Sequence, residues 1–211
     1  MDIEKTVRKP IQKRSIQMKE KILDAAMQLI CEKGFFEMTT NEIAKTAGIS
    51  IGSLYSYFSD KDTILTELLE RHHQHFLTVF EDLKTEINLQ LYKEDKREWL
   101  RCLVQNLIDL HLSVKDFNKE LKILYFAKSE VAFVLDNHME KIQRAVLDLM
   151  RQDIDNAKFD DLDTACVVIV EFINALVDRI VFKDNPADNE RILNMGIDML
   201  YMGCIQPLYN C

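Results

Sequence analysis

Among 211 residues there are only five glycines, three prolines and one tryptophan. Glycine and proline punctuate chains, and no stretch shows the apolar–polar alternation of a half-buried strand, so a β architecture is excluded and the class is all-α. The five cysteines (Cys31, Cys102, Cys166, Cys204, Cys211) are odd in number and scattered, with no Cys-x-x-Cys pair. That excludes a disulfide framework or a cysteine zinc site and points to a reducing compartment. They read as small buried hydrophobes, with a redox-sensing thiol left open. Long apolar runs are also missing. The longest, Ala165 to Val170, is stopped by Glu171, and the opening Met-Asp-Ile-Glu-Lys has no apolar signal core. The sequence therefore predicts a cytoplasmic protein with no membrane partner. No nucleophile–base pair stands out, so neither an enzyme nor a cofactor is predicted. Glu70 and His73, beside His72 and His75, form a single Glu-x-x-His unit. Di-iron bundles need two such units, so these histidines read as solvated or interfacial and no metal is expected.

The charge is unevenly placed. The net charge is −8, yet residues 1–61 carry 10 Lys/Arg against 8 Asp/Glu, while residues 62–211 carry 17 against 27. A head at +2 on a body at −10 suits a DNA-facing unit joined to an acidic one that DNA repels. Lys5, Arg8, Lys9, Lys13 and Arg14 lie around Pro10 with little to bury. They read either as a solubilising tail or as a basic arm on the phosphate backbone or minor groove.

Residues 39 to 61 carry the most information. Thr39 and Glu42 make a Thr-x-x-Glu capping box. Ile43, Ala44 and Ala47 share a helical face, and Gly48 stands where a left-handed residue ends a helix. Ser50 is placed to cap a second helix, Ile51 to Tyr57, whose Leu54 and Phe58 point back at Ile43. Ser59 with Asp62 predicts a third helix from about Asp60. Two short helices around a tight turn form a helix-turn-helix, with the second helix presented to a DNA major groove. An ordinary helical hairpin is the bland alternative.

The pattern Thr39-Thr40, Ile43-Ala44, Ala47-Gly48-Ile49-Ser50, Gly52, Leu54-Tyr55, Tyr57-Phe58 and Lys61 resembles the TetR/AcrR family of transcriptional repressors, over about a fifth of the chain. The resemblance implies an N-terminal three-helix head (residues 1–61) that binds DNA. A long helix would join it to a C-terminal helical body (62–211) that binds a ligand and dimerises. It also implies a homodimer paired through the last two helices, about 162–204, on a pseudo-palindromic operator.

The rest of the chain fits helices throughout. Met18, Ile22, Ala25, Ala26, Leu29 and Ile30 recur at helical spacing before Gly34, with Phe35 and Phe36 as plugs of the head core. A helix from Asp60 into the late eighties is expected on Ile64, Leu65, Leu68, Leu69, Phe76 and Leu77, then a polar break over 92–97. Body helices are expected over 98–114, near 121–126 after a turn at 115–117, over 130–154, and over 162–182. The helix over 162–182 is apolar on more than one face, which calls for a partner chain. Pro186 is read as opening a last helix with Ile192, Met195, Met199 and Met202 on one face.

Thr40 and Asn41 can offer a hydroxyl, an amide and backbone N–H groups to phosphate; Ser50, Gly52 and Ser53 sit at the exposed start of the recognition helix. Tyr55 and Tyr57 fall near solvent, where a hydroxyl can reach phosphate, although plain packing explains a tyrosine too. Lys61 stands at a helix start, which disfavours a cation, and a bound phosphate would explain it. Ile51 departs from the family, where a polar or basic residue is expected. It can touch a thymine methyl or merely pack, leaving Ser53 and DNA shape more of the readout. By the same resemblance a pocket for an unknown small-molecule effector is expected among inward residues. Trp99, Tyr125, Phe126, Phe133 and Phe172 would supply aromatics, and His111, His138 and Asn174 polar contacts, though ordinary core packing is the better account of each one. Two other functions stay open: a DNA- or partner-binding regulator with no ligand, and an all-α metal-binding protein.

Overall fold

The computed structural model describes residues 10–82, 85–153 and 161–206, and these residues form helices without strands. In order they are α1 (Pro10–Lys33), α2 (Thr40–Thr46), α3 (Ile51–Tyr55), α4 (Lys61–Asp82), α5 (Glu86–Glu94), α6 (Lys96–Ser113), α7 (Lys115–Ala127), α8 (Ser129–Asp153), α9 (Leu162–Phe182) and α10 (Asn189–Leu200), the last running into a π-helical turn at Tyr201–Ile205. The chain is all-α, as its composition requires. Of the basic arm, Lys13 and Arg14 are described and exposed; Lys5, Arg8 and Lys9 lie outside the described residues, as does Cys211.

Two compact units divide inside α4, between Arg71 and His72. In the first, Ile22, Ala26 and Ile30 of α1 are buried, as are Ile43 and Ala44 of α2, Leu54 of α3, and Ile64, Leu65 and Leu68 of α4. Phe35 plugs this core, but Phe36 does not; it lies exposed, edge-on to Phe35 at 5.7 Å between centroids. Salt bridges from Lys19 to Glu67 and from Arg71 to Asp24 tie α1 to the first half of α4. That burial and pairing are why the first unit includes the start of α4.

In the second unit α6, α9 and α10 share one apolar core, with Leu100, Val104, Leu107, Ile173, Val177, Ile180, Leu193, Ile197 and Leu200 at its centre. Gly196 lets α10 approach α9, since a Cβ there would sit 2.5 Å from Leu176 Cδ2. Buried residues on α9 recur as Cys166, Ile169, Val170, Ile173, Leu176, Val177, Ile180 and Val181, while Val167, Val168 and Phe172 are left on the outside. Met195, Met199 and Met202 form a second exposed apolar stripe, each between 59% and 63% exposed. No helix among the described residues is long and apolar enough to cross a membrane.

Several expected boundaries move, each for a local reason. The long helix ends at Asp82 because Thr85 caps a new helix, accepting from Asn88 N–H. The break expected over 92–97 shrinks to Asp95, which closes α5 and caps α6 through Glu98 N–H at 2.9 Å. Val114 alone separates α6 from α7, because Phe117 and Asn118 are already buried in the first turn of α7. Asp60, rather than Ser59, caps α4, accepting from Thr63 N–H at 2.7 Å. The last helix opens at Asn189, three residues beyond Pro186.

Candidate nucleic-acid interface

The interface is built from three local devices. At the first, Thr39 N–H donates to Glu42 Oε2 at 3.0 Å while Glu42 N–H donates to Thr39 Oγ1 at 3.3 Å, completing the capping box of α2. Lys33 Nζ donates to the same carboxylate. Its ammonium, together with the Thr39 donors, pulls the Glu42 carboxyl down to about 2. At the second, Ile49 N–H donates to Ala44 O at 3.0 Å and Gly48 N–H to Lys45 O at 3.1 Å, the double bond pattern of a Schellman C-cap. Gly48 takes φ +66 there. At the third, Ser50 Oγ accepts from Ser53 N–H at 3.1 Å and starts α3.

Gly48 supplies a clean test. A Cβ at this position would meet nothing within 4 Å, so a side chain is opposed only by the left-handed backbone. Gly48→Ala is expected to destabilise the head by about 1–2 kcal/mol, with Gly48→Asn costing less because asparagine tolerates this conformation. Urea unfolding followed by circular dichroism checks the order; equal stability of Ala and Gly would show the turn has another conformation.

The recognition helix is shorter than expected. α3 ends at Tyr55, Ser56 Oγ donates back to Gly52 O, and Tyr57 and Phe58 N–H both bond Leu54 O as the chain turns Phe58 into the core. Tyr57 is thus half-buried beyond the helix end, while Tyr55 is 53% exposed, its hydroxyl 3.2 Å from Thr40 Oγ1. That contact joins the two motif helices at their outer surface. Asn41, Ser50, Ile51 and Gly52 are exposed, and Thr40 and Ser53 half-buried. A Cβ on Gly52 would meet nothing, so packing within the head does not require glycine there. Lys61 is engaged at home: its Nζ donates to the carbonyls of Phe35, Phe36 and Met38 at 3.1, 3.2 and 3.3 Å and lies 4.6 Å from the Phe35 ring centroid. These carbonyls give a reason within the head for a cation at the start of α4.

In the body the residues expected around an effector do not converge. Trp99 is half-buried in the first turn of α6, edge-on to Tyr92, while His111 is in its last turn, roughly 18 Å along the helix axis. Phe126 is 88% exposed, Phe133 68% exposed, and Phe172 is also on the surface, which corrects their expected inward placement. Register explains it. α7 buries Phe117, Asn118, Leu121 and Leu124, and two residues past Leu124 is about 200° around the helix. Phe133 stands in the same relation to buried Val131. Tyr125 donates to Asp136 Oδ1 at 2.9 Å, and Asn174 Nδ2 lies 3.7 Å from Met139 Sδ.

The body also encloses polar rings near the start of its unit. His73 and His138 are buried and stack at 3.8 Å, and His72 donates through Nε2 to Asn118 Oδ1 at 2.7 Å; only His75 is exposed. Their reading as solvated or interfacial side chains is therefore corrected for His72 and His73. The signal was present: His72, Phe76 and Val79 follow an i, i+4, i+7 spacing that shares one face of α4. Among the described residues no three of His, Cys, Asp or Glu are grouped to hold a metal ion.

A capped helix, a glycine turn and a second capped helix with an exposed, side-chain-free approach define a helix-turn-helix DNA-binding regulator. Residues 22–68 match the family model described as "Bacterial regulatory proteins, tetR family", and residues 77–205 match "Tetracyclin repressor-like, C-terminal domain". The chain belongs to the TetR family of transcriptional regulators and is not an enzyme. It is 28% identical over 195 residues to the uncharacterized HTH-type transcriptional regulator YdgC of Bacillus subtilis, covering 87% of this chain and 93% of that protein. It is 37% identical over 61 residues to the B. subtilis fatty acid metabolism regulator protein, covering 29% of this chain and 31% of that one. GusR of Salmonella enterica shares the fold, with a TM-score of 0.70 at 16% identity, covering 96% of this chain and all of that one.

Proposed function

We propose that this regulator is a cytoplasmic homodimeric repressor that leaves its operator when a small molecule occupies the body. The observation that carries the dimer is the pair of exposed apolar stripes, Val167, Val168 and Phe172 on α9 and Met195, Met199 and Met202 on α10. Solvent-facing methionine and valine at this density are a poor surface for a lone chain and a good one for a second copy. In this reading residues 1–61 hold DNA, and 62–211 hold the effector and the dimer. Ser50, Ile51, Gly52 and Ser53 approach the major groove, while Thr40, Asn41, Tyr55 and Tyr57 line the phosphate side; Lys61, its ammonium taken up by three carbonyls of residues 35–38, braces the head behind them. A two-fold dimer matches a pseudo-palindromic operator when its heads stand one helical turn apart, about 34–36 Å. A ligand that favours another spacing draws the population off DNA. Of the expected effector contacts His111, Tyr125 and Asn174 are kept; Trp99 stands at the opposite end of α6 from His111, and Phe126, Phe133 and Phe172 are too exposed to serve from within one chain.

The test is fluorescence anisotropy with DNA from the protein's own upstream region across a salt series. Saturation at two chains per site, with affinity falling as salt rises, is the expected result. Tyr55→Ala is expected to weaken binding on the order of tenfold or more by removing a hydrogen bond to a charged group. Binding that is indifferent to both salt and Tyr55 would overturn the assignment of this face.

A further inference from the structure

An orphaned donor is buried in the body. Asn118 is 7% exposed, and its Oδ1 accepts from His72 Nε2 at 2.7 Å, but its buried Nδ2 has no hydrogen-bond partner among the described residues. Buried amides are nearly always satisfied, because leaving one unmade carries its full desolvation cost. The surroundings are aromatic. The His111 and Phe76 rings meet edge-on at 4.8 Å and those of His72 and Phe117 at 5.5 Å, while Phe76 and His72 lie tilted at 4.7 Å. Three helices, α4, α6 and α7, converge to supply this group, and all of it belongs to the second unit.

Charge is absent from the polar part of the group. Burial pushes His72 down to about 4 and lowers His111 as well, so both rings are neutral near pH 7. His111 Nδ1 donates to Leu107 O at 2.8 Å, and Lys122 and Asp178, the charged groups His111 senses, neutralise each other at 2.5 Å. None of the described residues in this group carries a positive charge, so an anion has no cation there to pair with, whereas a neutral oxygen finds an unpaired N–H.

We propose that the body binds an uncharged, ring-bearing compound whose carbonyl-type oxygen accepts from Asn118 Nδ2 while its ring lies against Phe76 and Phe117. The site deepens the effector reading above and rests on it: it names the chemistry of the molecule that releases the repressor. It also sets a preference, ketone or amide over carboxylate.

The test uses the full-length protein with acetophenone and benzoate, which share a ring and differ in charge. At pH 7.5 and millimolar concentration, acetophenone is expected to shift the ¹⁵N side-chain amide resonance of Asn118 and raise the unfolding midpoint; benzoate is expected to do neither. Asn118→Leu is expected to weaken acetophenone binding at least tenfold. The amide shift in the unaltered protein decides the matter even if that variant folds poorly. Benzoate binding as tightly as acetophenone, acetophenone leaving the Asn118 amide unmoved, or neither probe binding would each overturn the proposal. Operator release measured in the same samples separates the two ideas. Acetophenone held at Asn118 without any change in DNA affinity keeps the ligand class and removes the effector role. A compound that releases DNA equally from the Asn118→Leu protein keeps the effector role and removes this site.

Discussion

Phe172→Glu combined with Met199→Glu is expected to yield a folded monomer that binds operator DNA on the order of a hundredfold or more below the parent. Both side chains are exposed on the single chain, Phe172 on α9 and Met199 on α10, so neither glutamate disturbs the core of α6, α9 and α10. Against a second copy the same positions would be covered. Each Phe or Met buried there contributes about 1.5–3 kcal/mol, and each glutamate leaves an unpaired carboxylate that resists desolvation. The affinity loss follows from geometry rather than from a lost DNA contact, since one head on one half-site forfeits the second, effectively intramolecular, binding event. Sedimentation and anisotropy on the same samples check it, with thermal unfolding as the control for folding. A variant that remains dimeric places the interface elsewhere; one that becomes monomeric yet binds DNA unchanged removes the need for two heads.

Acidification is expected to destabilise the body through His72. In the unfolded chain the imidazole takes a proton near pH 6.5, whereas in the fold, burial holds it neutral down to about 4. Between those values the unfolded state binds more protons, so stability falls as pH falls. The full benefit of the neutral ring is present above pH 6.5 and is spent by about pH 4, a loss of about 3 kcal/mol. The hydrogen bond to Asn118 Oδ1 opposes the shift, and the neighbouring His111, His75 and His138 add to it. His72→Gln keeps a donor toward Asn118 without a titrating group and is expected to flatten this part of the profile. Urea unfolding at half-unit pH steps measures it. If the parent and His72→Gln lose stability in parallel across that window, the ring is not held neutral by the fold.

Much of the head was legible because its determinants are neighbours in the chain. Thr39 and Glu42 are three residues apart, Ser50 and Ser53 likewise, and both caps form as read. Gly48 takes the left-handed conformation that its place after α2 required. The body was less legible. A stripe of apolar residues announces a helix, but which aromatic lies inward depends on register against other helices. Phe126 and Phe133 therefore read as core and stand in solvent, while His73 reads as solvated or interfacial and is buried, with His72 half-buried beside it. Asn118 has no apolar character and no motif spacing to mark its burial in the sequence.

The all-α class, the capped helix-turn-helix and the split of charge between head and body were determined by the sequence itself. They rest on composition and on contacts three or four residues apart, whose energies do not depend on the rest of the chain. Tertiary structure alone decided that Lys61 closes on three carbonyls from residues 35 to 38, and that the buried Nδ2 of Asn118 stands among aromatic rings with no hydrogen-bond partner among the described residues. Such placements join residues more than twenty positions apart, and only the packing of whole helices selects which of them meet.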